Sequence, residues 1–299
     1  MSMAVRREPV PATRAATLGI VLPAKNESGA LPELLDRLRS VYPNSEILLI
    51  DDGSTDATAR LAREHGASVI SRPYSMGNGA AIKAGARAVN AEIIISMDAD
   101  GQHKPEDVEK LLAKLDEGYD MVVGARDHGS QASFWRGIAN RLYNSLASLL
   151  VGHRIEDLTS GFRAVQAAKF REFLYLLPNG FSYPTTITMA FFRAGYSVAY
   201  VPVEARKRNG HASHIRPLRD GARFLLIIFK VAILYSPLKI FVPASAVFFL
   251  LGCANYAYTF INDGRLTNMS TLLWSAAVIV FLIGLISEQI TALTYRRHD

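Results

Sequence analysis

Two carboxylates stand close together at the end of an apolar segment of this chain. Residues 91–105 read AEIIISMDADGQHKP, so Asp98 and Asp100 follow a β-branched run that predicts a buried strand. The Lys104-Pro105 pair then ends that strand. Two acidic groups at the tip of a buried strand repel each other and lose hydration, which favours a divalent cation between them. The alternative is an ordinary acidic turn with two solvated side chains.

The elements that must position this pair follow from the pattern of residues 18–125. Strand-like segments LGIVLPA, SEILLIDDG, ASVISR and DMVVGA alternate with segments whose apolar residues have helical spacing. This βαβα order predicts a mainly parallel sheet with helices on both faces. Ligands of such sheets bind beyond the carboxyl ends of the strands. The loops richest in polar side chains lie at those ends, at 23–27, 51–56, 98–103 and 124–127.

Two apolar runs near the carboxyl end predict a helical hairpin in a membrane. Residues 240–261 and 271–287 carry no charged side chain. Each run is about 20 residues long, the length a helix needs to cross roughly 30 Å of hydrocarbon. Because the link between them is short and polar, we expect two spans, at about 240–261 and 271–291.

The basic residues around this hairpin predict its orientation. Lys230 and Lys239 precede the first span, Arg296 and Arg297 follow the second, and Arg265 is the only basic residue of the loop. By the positive-inside rule, both chain ends and the large domain lie in the cytoplasm. The sequence therefore predicts a multi-pass integral membrane protein of the bacterial inner-membrane type.

The predicted parts of the chain are a flexible N-terminal tail at 1–17, a cytoplasmic α/β domain at 18–214, an interfacial amphipathic helix at 215–238 and the hairpin at 239–299. The tail contains arginines but no apolar core, so it is not a signal peptide. Residues 215–237 begin basic and become apolar, as in helices that lie in a membrane interface. Residues 134–152 have a similar character. Ordinary packing against the sheet is the alternative for both segments.

The net charge of +6 belongs to the cytoplasmic part of the 299-residue chain. Three positive residues (Arg265, Arg296, Arg297) and three negative ones (Asp263, Glu288, Asp299) follow Lys239 and cancel. A basic domain on a membrane favours anionic headgroups and phosphate-bearing ligands. No basic and aromatic stripe appears, which argues against nucleic acid as a partner. The single cysteine, Cys253, lies in the first span and permits no intrachain disulfide.

Six motifs occur in the order found in family 2 glycosyltransferases: VLPAKNE, ILLIDDGSTD, SMGNGAAIKAG, MDADGQH, DLTSGFRA and RNGHASHIRP. The likeness covers about residues 18–240, and the chain most resembles the polyprenyl-phosphate hexosyltransferases, such as dolichol-phosphate mannose synthase and undecaprenyl-phosphate sugar transferases. The resemblance implies a GT-A fold, a polyprenyl-phosphate acceptor, and Mg²⁺ or Mn²⁺ as cofactor. It also implies a nucleotide-sugar donor, of the GDP-mannose or UDP-glucose type.

The resemblance also implies a donor site made of Pro23, Lys25, Asn26, Glu27, Ile50, Asp51, Asp52, Lys83, Asp98, Ala99, Gln102 and Arg208. The resemblance further implies that Asp98, Asp100 and Gln102 hold the metal. His103 is either a further ligand or a capping or surface residue. Lys25 stands where the family often has an aromatic residue. Two alternatives stay open, namely that Asp51 orients its loop and that the DDGSTD segment caps a helix through Ser54 and Thr55. Gly77 and Gly79 open a helix and fit either a phosphate site or a plain turn.

We expect basic side chains to bind the phosphate group of the acceptor lipid. The resemblance assigns catalysis to Asp100, Arg126, Asp157 and Arg163, and the acceptor phosphate to Arg126, Arg136, Arg141, Ser160 and His214. His214 replaces a lysine of the archaeal and eukaryotic pattern. A lipid phosphate is already ionised at neutral pH, so its attack on the sugar needs no strong general base. Asp157 is the candidate if a base is used.

Three other functions compete with lipid glycosylation. A processive polysaccharide synthase would carry a QxxRW motif and more spans, and the sequence has neither. A family 2 transferase with another glycan or lipid acceptor shares the donor half. A catalytically silent membrane scaffold could keep the fold, although the acidic pair, Gln102 and Arg163 argue against it. Self-association of the hairpin in the bilayer is a further expectation.

Overall fold

The computed structural model describes residues 17–126, 143–149, 151–180, 182–204, 233 and 235–294. The chain divides into two compact units, one formed by residues 1–146 and 153–215 and the other by residues 147–152 and 216–299. The predicted tail, apart from Thr17, and almost all of the predicted interfacial helix at 215–238 lie outside the described residues. So do most of the residues in the amphipathic segment 134–152.

The first unit is built on a seven-stranded sheet. Its strands are β1 (Leu18–Ala24), β2 (Glu46–Asp51), β3 (Ser68–Ser71), β4 (Ile93–Ser96), β5 (Met121–Arg126), β6 (Arg163–Gln166) and β7 (Val198–Val203). Their order across the sheet is β3-β2-β1-β4-β6-β5-β7. Every neighbouring pair is parallel except those of β6, which runs antiparallel to β4 and β5. The predicted, mainly parallel sheet is confirmed, and the antiparallel β6 is an addition that the pattern did not indicate.

Helices cover this sheet: α1 (Leu31–Val41), α2 (Thr58–Glu64), α3 (Asn78–Ala88), α4 (Asp107–Asp116), α5 (Ala167–Arg171) and α6 (Tyr183–Arg193). In α1 the buried residues are leucines at positions 31, 34, 35 and 38, the spacing of one helical face. That face joins α4 and the strand residues in a single apolar core. In α3 the contact with the sheet is closer, because a Cβ on Gly85 would overlap the side chain of Val21. The sheet and its helices therefore share one tightly packed core.

The second unit contains the expected hairpin, formed by α7 (Leu238–Asp263) and α8 (Asn268–Thr294). Both helices are long and apolar enough to cross a membrane, and each extends past the span predicted for it. The buried residues of α8 are Ser270, Ala277, Gly284 and Thr291, which recur every seven positions. A Cβ on Gly284 would come 2.6 Å from Phe241 Cβ. Small residues therefore let the two helices pack closely.

Candidate active site

A cavity of about 430 Å³ opens where β1, β2 and β4 end. Among the residues assigned to the donor or the metal, its lining contains Pro23, Lys25, Glu27, Asp52, Asp98, Ala99 and Asp100. The unassigned residues of the lining include Ser75 and Asn78. Four of these side chains are acidic, and Lys25 is the only basic one in the lining that the described residues form. The ionised lining thus carries three more negative than positive charges.

The first loop of the cavity is tied to the second by hydrogen bonds. Asn26, in a left-handed conformation with φ +56°, donates its backbone N–H to Ser54 Oγ at 2.9 Å. Its side-chain Oδ1 accepts the backbone N–H of Thr55 at 2.8 Å. Asp51 Oδ1 accepts the N–H of Ser54 at 2.9 Å. These bonds give Asn26 and Asp51 the task of shaping the loops, and neither belongs to the cavity lining.

Two predictions about the DDGSTD segment are corrected by this geometry. The helix α2 starts after Ala57, so Ser54 and Thr55 lie too early to cap it. The side chain of Ile50 is fully buried in the core, so it cannot reach a bound nucleobase. Ile50 lies near the end of β2, whose last five residues are all buried, and the motif alone does not reveal this burial.

Asp52 borders the cavity, but its carboxylate is already fully used. Oδ1 accepts the N–H of Met76 at 2.8 Å and Arg72 Nη1 at 3.3 Å. Oδ2 accepts Ser75 Oγ at 2.7 Å and the N–H of Gly77 at 2.8 Å. Burial alone would raise the pKa of Asp52, but these bonds outweigh it and lower the pKa below its ordinary value. Asp52 therefore organises the glycine-rich turn at 75–79.

The other side of the glycine-rich turn is covered by residues 177–180. Ala80 donates its N–H to the carbonyl oxygen of Asn179 at 3.1 Å. A Cβ on Gly79 would overlap the carbonyl oxygen of Pro178. Lys83 Nζ donates to Leu177 O at 2.9 Å and Asn179 Oδ1 at 2.6 Å. The N–H groups of Gly77 and Ala80 at this helix start thus bind the protein's own oxygens, and Lys83 holds a loop. The phosphate site and the plain turn both stay open as predictions.

The acidic pair lies on the loop that follows β4. Asp98 Oδ1 accepts Asn78 Nδ2 at 3.3 Å. Asp100 Oδ1 accepts the backbone N–H of Gln102 at 3.1 Å, across a turn in which Gly101 has φ +70°. Gln102 thus contributes its backbone to this turn, and its side chain is not part of the cavity lining.

The acidic pair fits a hard divalent cation. Within the described ranges, no group of three or more His, Cys, Asp or Glu side chains converges as a metal site. Mg²⁺, however, is usually held by one or two protein carboxylates together with substrate phosphates and water, and Mn²⁺ suits the same oxygen ligands. Asp98 and Asp100 at the wall of one cavity meet that requirement.

His103 is neither a surface residue nor a helix cap. Its ring is buried and stacks on Phe162 with 4.7 Å between ring centroids. Burial lowers the pKa of His103 to about 4, so the imidazole is neutral near pH 7. It also borders a second cavity of about 330 Å³ beside α1, which shares Asp100 with the first. The expectation of a capping or surface role is therefore wrong.

Arg126, the last residue of β5, forms a partly buried ion pair with Asp157. Arg126 Nε donates to Asp157 Oδ2 at 2.8 Å, and Nη2 donates to Oδ1 at 3.1 Å and to Thr159 Oγ1 at 2.6 Å. Backbone N–H groups of Thr159 and Ser160 also donate to Asp157 Oδ1. Burial would raise the pKa of Asp157, but these donors, Arg126 first, lower it. A carboxylate so engaged is a poor general base, and it instead orients Arg126.

The TSGFR segment lies deeper than the resemblance implies. Ser160 is buried, and its Oγ accepts the N–H of Phe162 at 3.3 Å. Arg163 is fully buried in β6, where Nη1 donates to Pro184 O and Thr188 Oγ1, each at 3.3 Å. Neither side chain is part of the cavity lining that the described residues form, and their assignment to substrate contact stays a prediction. The strand β6 carries Arg163 into the core.

Four assigned residues, Arg136, Arg141, Arg208 and His214, lie outside the described residues. Two functional candidates escaped the sequence analysis. Asn78 lies between two glycines of SMGNGAA and was passed over as part of a turn. Thr159 lies next to the assigned Ser160 in the TSGFR segment. For Asn78 the useful signal is a short polar side chain between two glycines, which permit a tight approach.

Comparison with known proteins places these features in a family. Residues 19–174, 156 of the 299, match the family model described as Glycosyl transferase family 2, and residues 236–293 match the GtrB C-terminal hairpin. Polyprenol monophosphomannose synthase of Mycolicibacterium smegmatis is 30% identical over 71% of this chain and 84% of that protein. Glycosyltransferase AglJ of Haloferax volcanii is 28% identical over 92% and 93%. Undecaprenyl-phosphate 4-deoxy-4-formamido-L-arabinose transferase of Klebsiella pneumoniae is 38% identical over 49% and 48%.

Solved structures share the fold of the first unit. Glucosyl-3-phosphoglycerate synthase from Mycobacterium tuberculosis, in complex with Mn²⁺, UDP-glucose and phosphoglyceric acid, superposes with a TM-score of 0.58. It is 22% identical and covers 73% of this chain and 80% of that one. At this identity the likeness concerns the fold, which is of the GT-A type. With its six motifs, its sheet and the family match over half its length, the chain belongs to glycosyltransferase family 2.

Proposed function

We propose that this protein transfers a hexose from a nucleotide sugar to a polyprenyl phosphate and releases polyprenyl-phosphate-hexose with inversion at the anomeric carbon. Two relatives support this acceptor. One is named a polyprenol monophosphomannose synthase, and the other is named an undecaprenyl-phosphate sugar transferase. The match to a C-terminal hairpin family and the two long apolar helices support an acceptor that resides in the membrane.

The observation that carries the proposal is the charge of the cavity beside the acidic pair. The lining that the described residues form contains one basic side chain, Lys25, and four acidic ones, Glu27, Asp52, Asp98 and Asp100, of which Asp52 also pairs with Arg72. A nucleoside diphosphate is itself an anion. Two anionic partners can share this space only with a cation between them. Asp98 and Asp100 would hold Mg²⁺ or Mn²⁺, with Gln102 joining them on the strength of the resemblance. When bound, such an ion would neutralise the charge of the departing diphosphate.

The proposed chemistry is a single displacement. An oxygen of the lipid phosphate attacks C1 of the sugar, and the bond from C1 to the diphosphate oxygen breaks. The bonding electron pair leaves with the nucleoside diphosphate. A phosphate monoester is largely ionised near pH 7, so no side chain has to remove a proton from it. Catalysis then depends on positioning and on charge stabilisation.

Arg126 is the described cation best placed to orient an acceptor phosphate. Asp157 and Thr159 engage its Nε and Nη2, which fixes the plane of the guanidinium. Its Nη1 has no hydrogen-bond partner in the part of the chain that the structure describes. A guanidinium held in one orientation binds a phosphate with little loss of side-chain entropy. Arg136, Arg141 and His214 complete the proposed acceptor site as further phosphate contacts, and Arg208 belongs to the proposed donor site.

The donor is proposed as GDP-mannose or UDP-glucose in type. Asp52 can form a hydrogen bond to the nucleobase only if it loses one of its four present hydrogen bonds. Lys25 makes no hydrogen bond or ion pair with any residue that the structure describes, so it is available to the diphosphate or to a carbonyl oxygen of the base. We propose that the site faces the cytoplasm, because the basic residues that flank the hairpin favour that side of the membrane for the large domain.

A donor panel tests this function. Purified protein in detergent is incubated with polyprenyl phosphate and labelled GDP-mannose or UDP-glucose, with Mn²⁺, with Mg²⁺ or with EDTA. We expect label in the lipid extract for one donor, and its loss with EDTA. Asp100→Asn should reduce transfer by at least about 100-fold while the protein remains folded, since a metal ligand is lost.

The same assay separates the competing functions. Label that enters a polymer, or transfer to a water-soluble glycan only, would replace the lipid acceptor with another one. Nucleotide-sugar binding without transfer to any acceptor would favour a silent scaffold. Transfer by Asp100→Asn at the wild-type rate would remove the metal from the proposal.

A further inference from the structure

Asn78 is the first residue of α3 and borders the same cavity as the acidic pair. Its Nδ2 donates to Asp98 Oδ1 at 3.3 Å, and this is the only hydrogen bond of its side chain within the described parts of the chain. Asn78 therefore links the start of α3 to Asp98, one member of the acidic pair.

The backbone of Asn78 is fixed from two sides. Before it, Asp52 accepts the N–H groups of Met76 and Gly77. After it, Asn179 accepts the N–H of Ala80. Gly77 is in a left-handed conformation with φ +99°, and a Cβ there would overlap the carbonyl oxygen of Asn179. The turn thus presents Asn78 at one place and in one direction.

The side-chain oxygen of Asn78, Oδ1, does not contribute a hydrogen bond to the described part of the fold. This oxygen is buried and has no hydrogen-bond partner among the residues that the structure describes. A buried acceptor without a partner costs stability, and native structures hold few of them. An apolar residue of similar size would avoid that cost. Fold stability therefore does not account for an asparagine here, whereas its bond to Asp98 does.

We propose that Asn78 is a positioning residue that orients the carboxylate of Asp98 for a divalent cation. This inference rests on the proposed function and adds to it a residue outside the assigned metal site. By donating to Oδ1, the amide fixes the plane of the carboxylate. Outer hydrogen bonds of this kind commonly change metal affinity 10–100-fold when they are removed.

Direct metal binding tests the proposal. Mn²⁺ is titrated into the full-length protein in detergent, alone and with GDP or UDP, and free Mn²⁺ is followed by electron paramagnetic resonance. We expect Asn78→Ala and Asn78→Leu to raise the dissociation constant of Mn²⁺ by about 10-fold. Asn90→Ala makes the same chemical change on an exposed residue just beyond the other end of α3 and should bind like wild type.

The variants are built to keep the outcome interpretable. Leucine retains the volume of asparagine, so a loss shared by Asn78→Leu and Asn78→Ala points to the missing donor. Melting temperatures close to that of wild type would exclude partial unfolding as the cause. In the transfer assay, a wild-type rate at saturating Mn²⁺ with a raised Mn²⁺ requirement is the expected signature.

Two results overturn different statements. Wild-type Mn²⁺ affinity in both Asn78 variants, while Asp100→Asn loses binding, would remove the positioning role and leave the proposed function intact. Failure of the wild-type protein to bind Mn²⁺ with either nucleotide would remove the metal, and with it both the positioning role and that part of the proposed function.

Discussion

Arg126 and Asp157 meet side on, with Nε 2.8 Å from one carboxylate oxygen and Nη2 3.1 Å from the other. This two-point contact links the end of β5 to the segment that precedes β6. A bidentate pair fixes orientation as well as distance. It makes Asp157 a residue that acts through Arg126, whereas the sequence had offered it as a base.

A double-mutant cycle separates these two roles of Asp157. If Asp157 acts by holding Arg126, then Asp157→Asn and Arg126→Ala should each lower kcat/KM by about 10–100-fold, and the double variant should be no worse than Arg126→Ala. The measurement is lipid-linked product formed by each purified variant. Additive losses would mean that Asp157 acts on the reaction independently, as a base would.

A substitution at Gly79 tests how closely residues 177–180 pack against the glycine-rich turn. A Cβ at this position would overlap Pro178 O and lie 2.8 Å from Gly180 O, so Gly79→Ala should destabilise the first unit by about 1–3 kcal/mol. The neighbouring Gly180→Ala is the control, because a Cβ there meets nothing within 4 Å. Thermal unfolding in detergent measures both, and equal melting temperatures for the two variants would contradict the packing of this turn.

Arg163 tests whether a cation in the TSGFR segment supports the core or contacts a substrate. Its guanidinium is buried among Ser160 O, Pro184 O and Thr188 Oγ1. Arg163→Met should leave Ser160 O without its Arg163 donor and cost about 1–3 kcal/mol of stability if no new donor replaces it. Pro184 O should be less affected, because it also accepts Thr188 Oγ1 at 2.8 Å. The KM values of donor and lipid should stay near those of wild type in the folded fraction. A raised KM for the lipid phosphate at unchanged stability would return Arg163 to the acceptor site.

His103 predicts a pH dependence of stability. Its pKa is about 4 in the folded protein and near 6.5 when unfolded, so the unfolded chain binds more protons between these values. Stability contributed by the neutral ring is complete above about pH 6.5 and is lost as the pH falls toward 4. From pH 7 to pH 5 the loss should be about 2 kcal/mol. His103→Phe keeps the stacking on Phe162 and cannot be protonated, so its unfolding midpoint should fall less over this range.

The parallel part of the fold could be predicted because its signals are local. Buried strands such as β1 and β2 are continuous apolar runs, and α1 has its leucines on one face. The same holds for the hairpin, whose helices are defined by length and composition. The strands β6 and β7 were missed. Only four residues form β6, and it pairs with strands far away in the sequence, so no periodic pattern reveals it.

Within the site, the sequence indicated the loops better than the direction of individual side chains. Asp98, Asp100 and Lys25 border the cavity as motif position suggests. Ile50, Lys83 and Arg163 do not, because burial and hydrogen bonds to distant loops decide where a side chain points. Those partners, such as Asn179 for Lys83, come from segments almost 100 residues away and leave no mark on the motif itself.

The four hydrogen bonds that saturate Asp52 have a thermodynamic consequence for ligand capture. They hold the turn at 75–77 in place before any nucleotide arrives. Binding then loses little backbone entropy on this wall, because ordering costs fall when a loop already has its bound conformation. We therefore expect this turn to keep one conformation while a nucleotide binds. Any slow step in which a segment becomes ordered during binding should arise elsewhere in the chain.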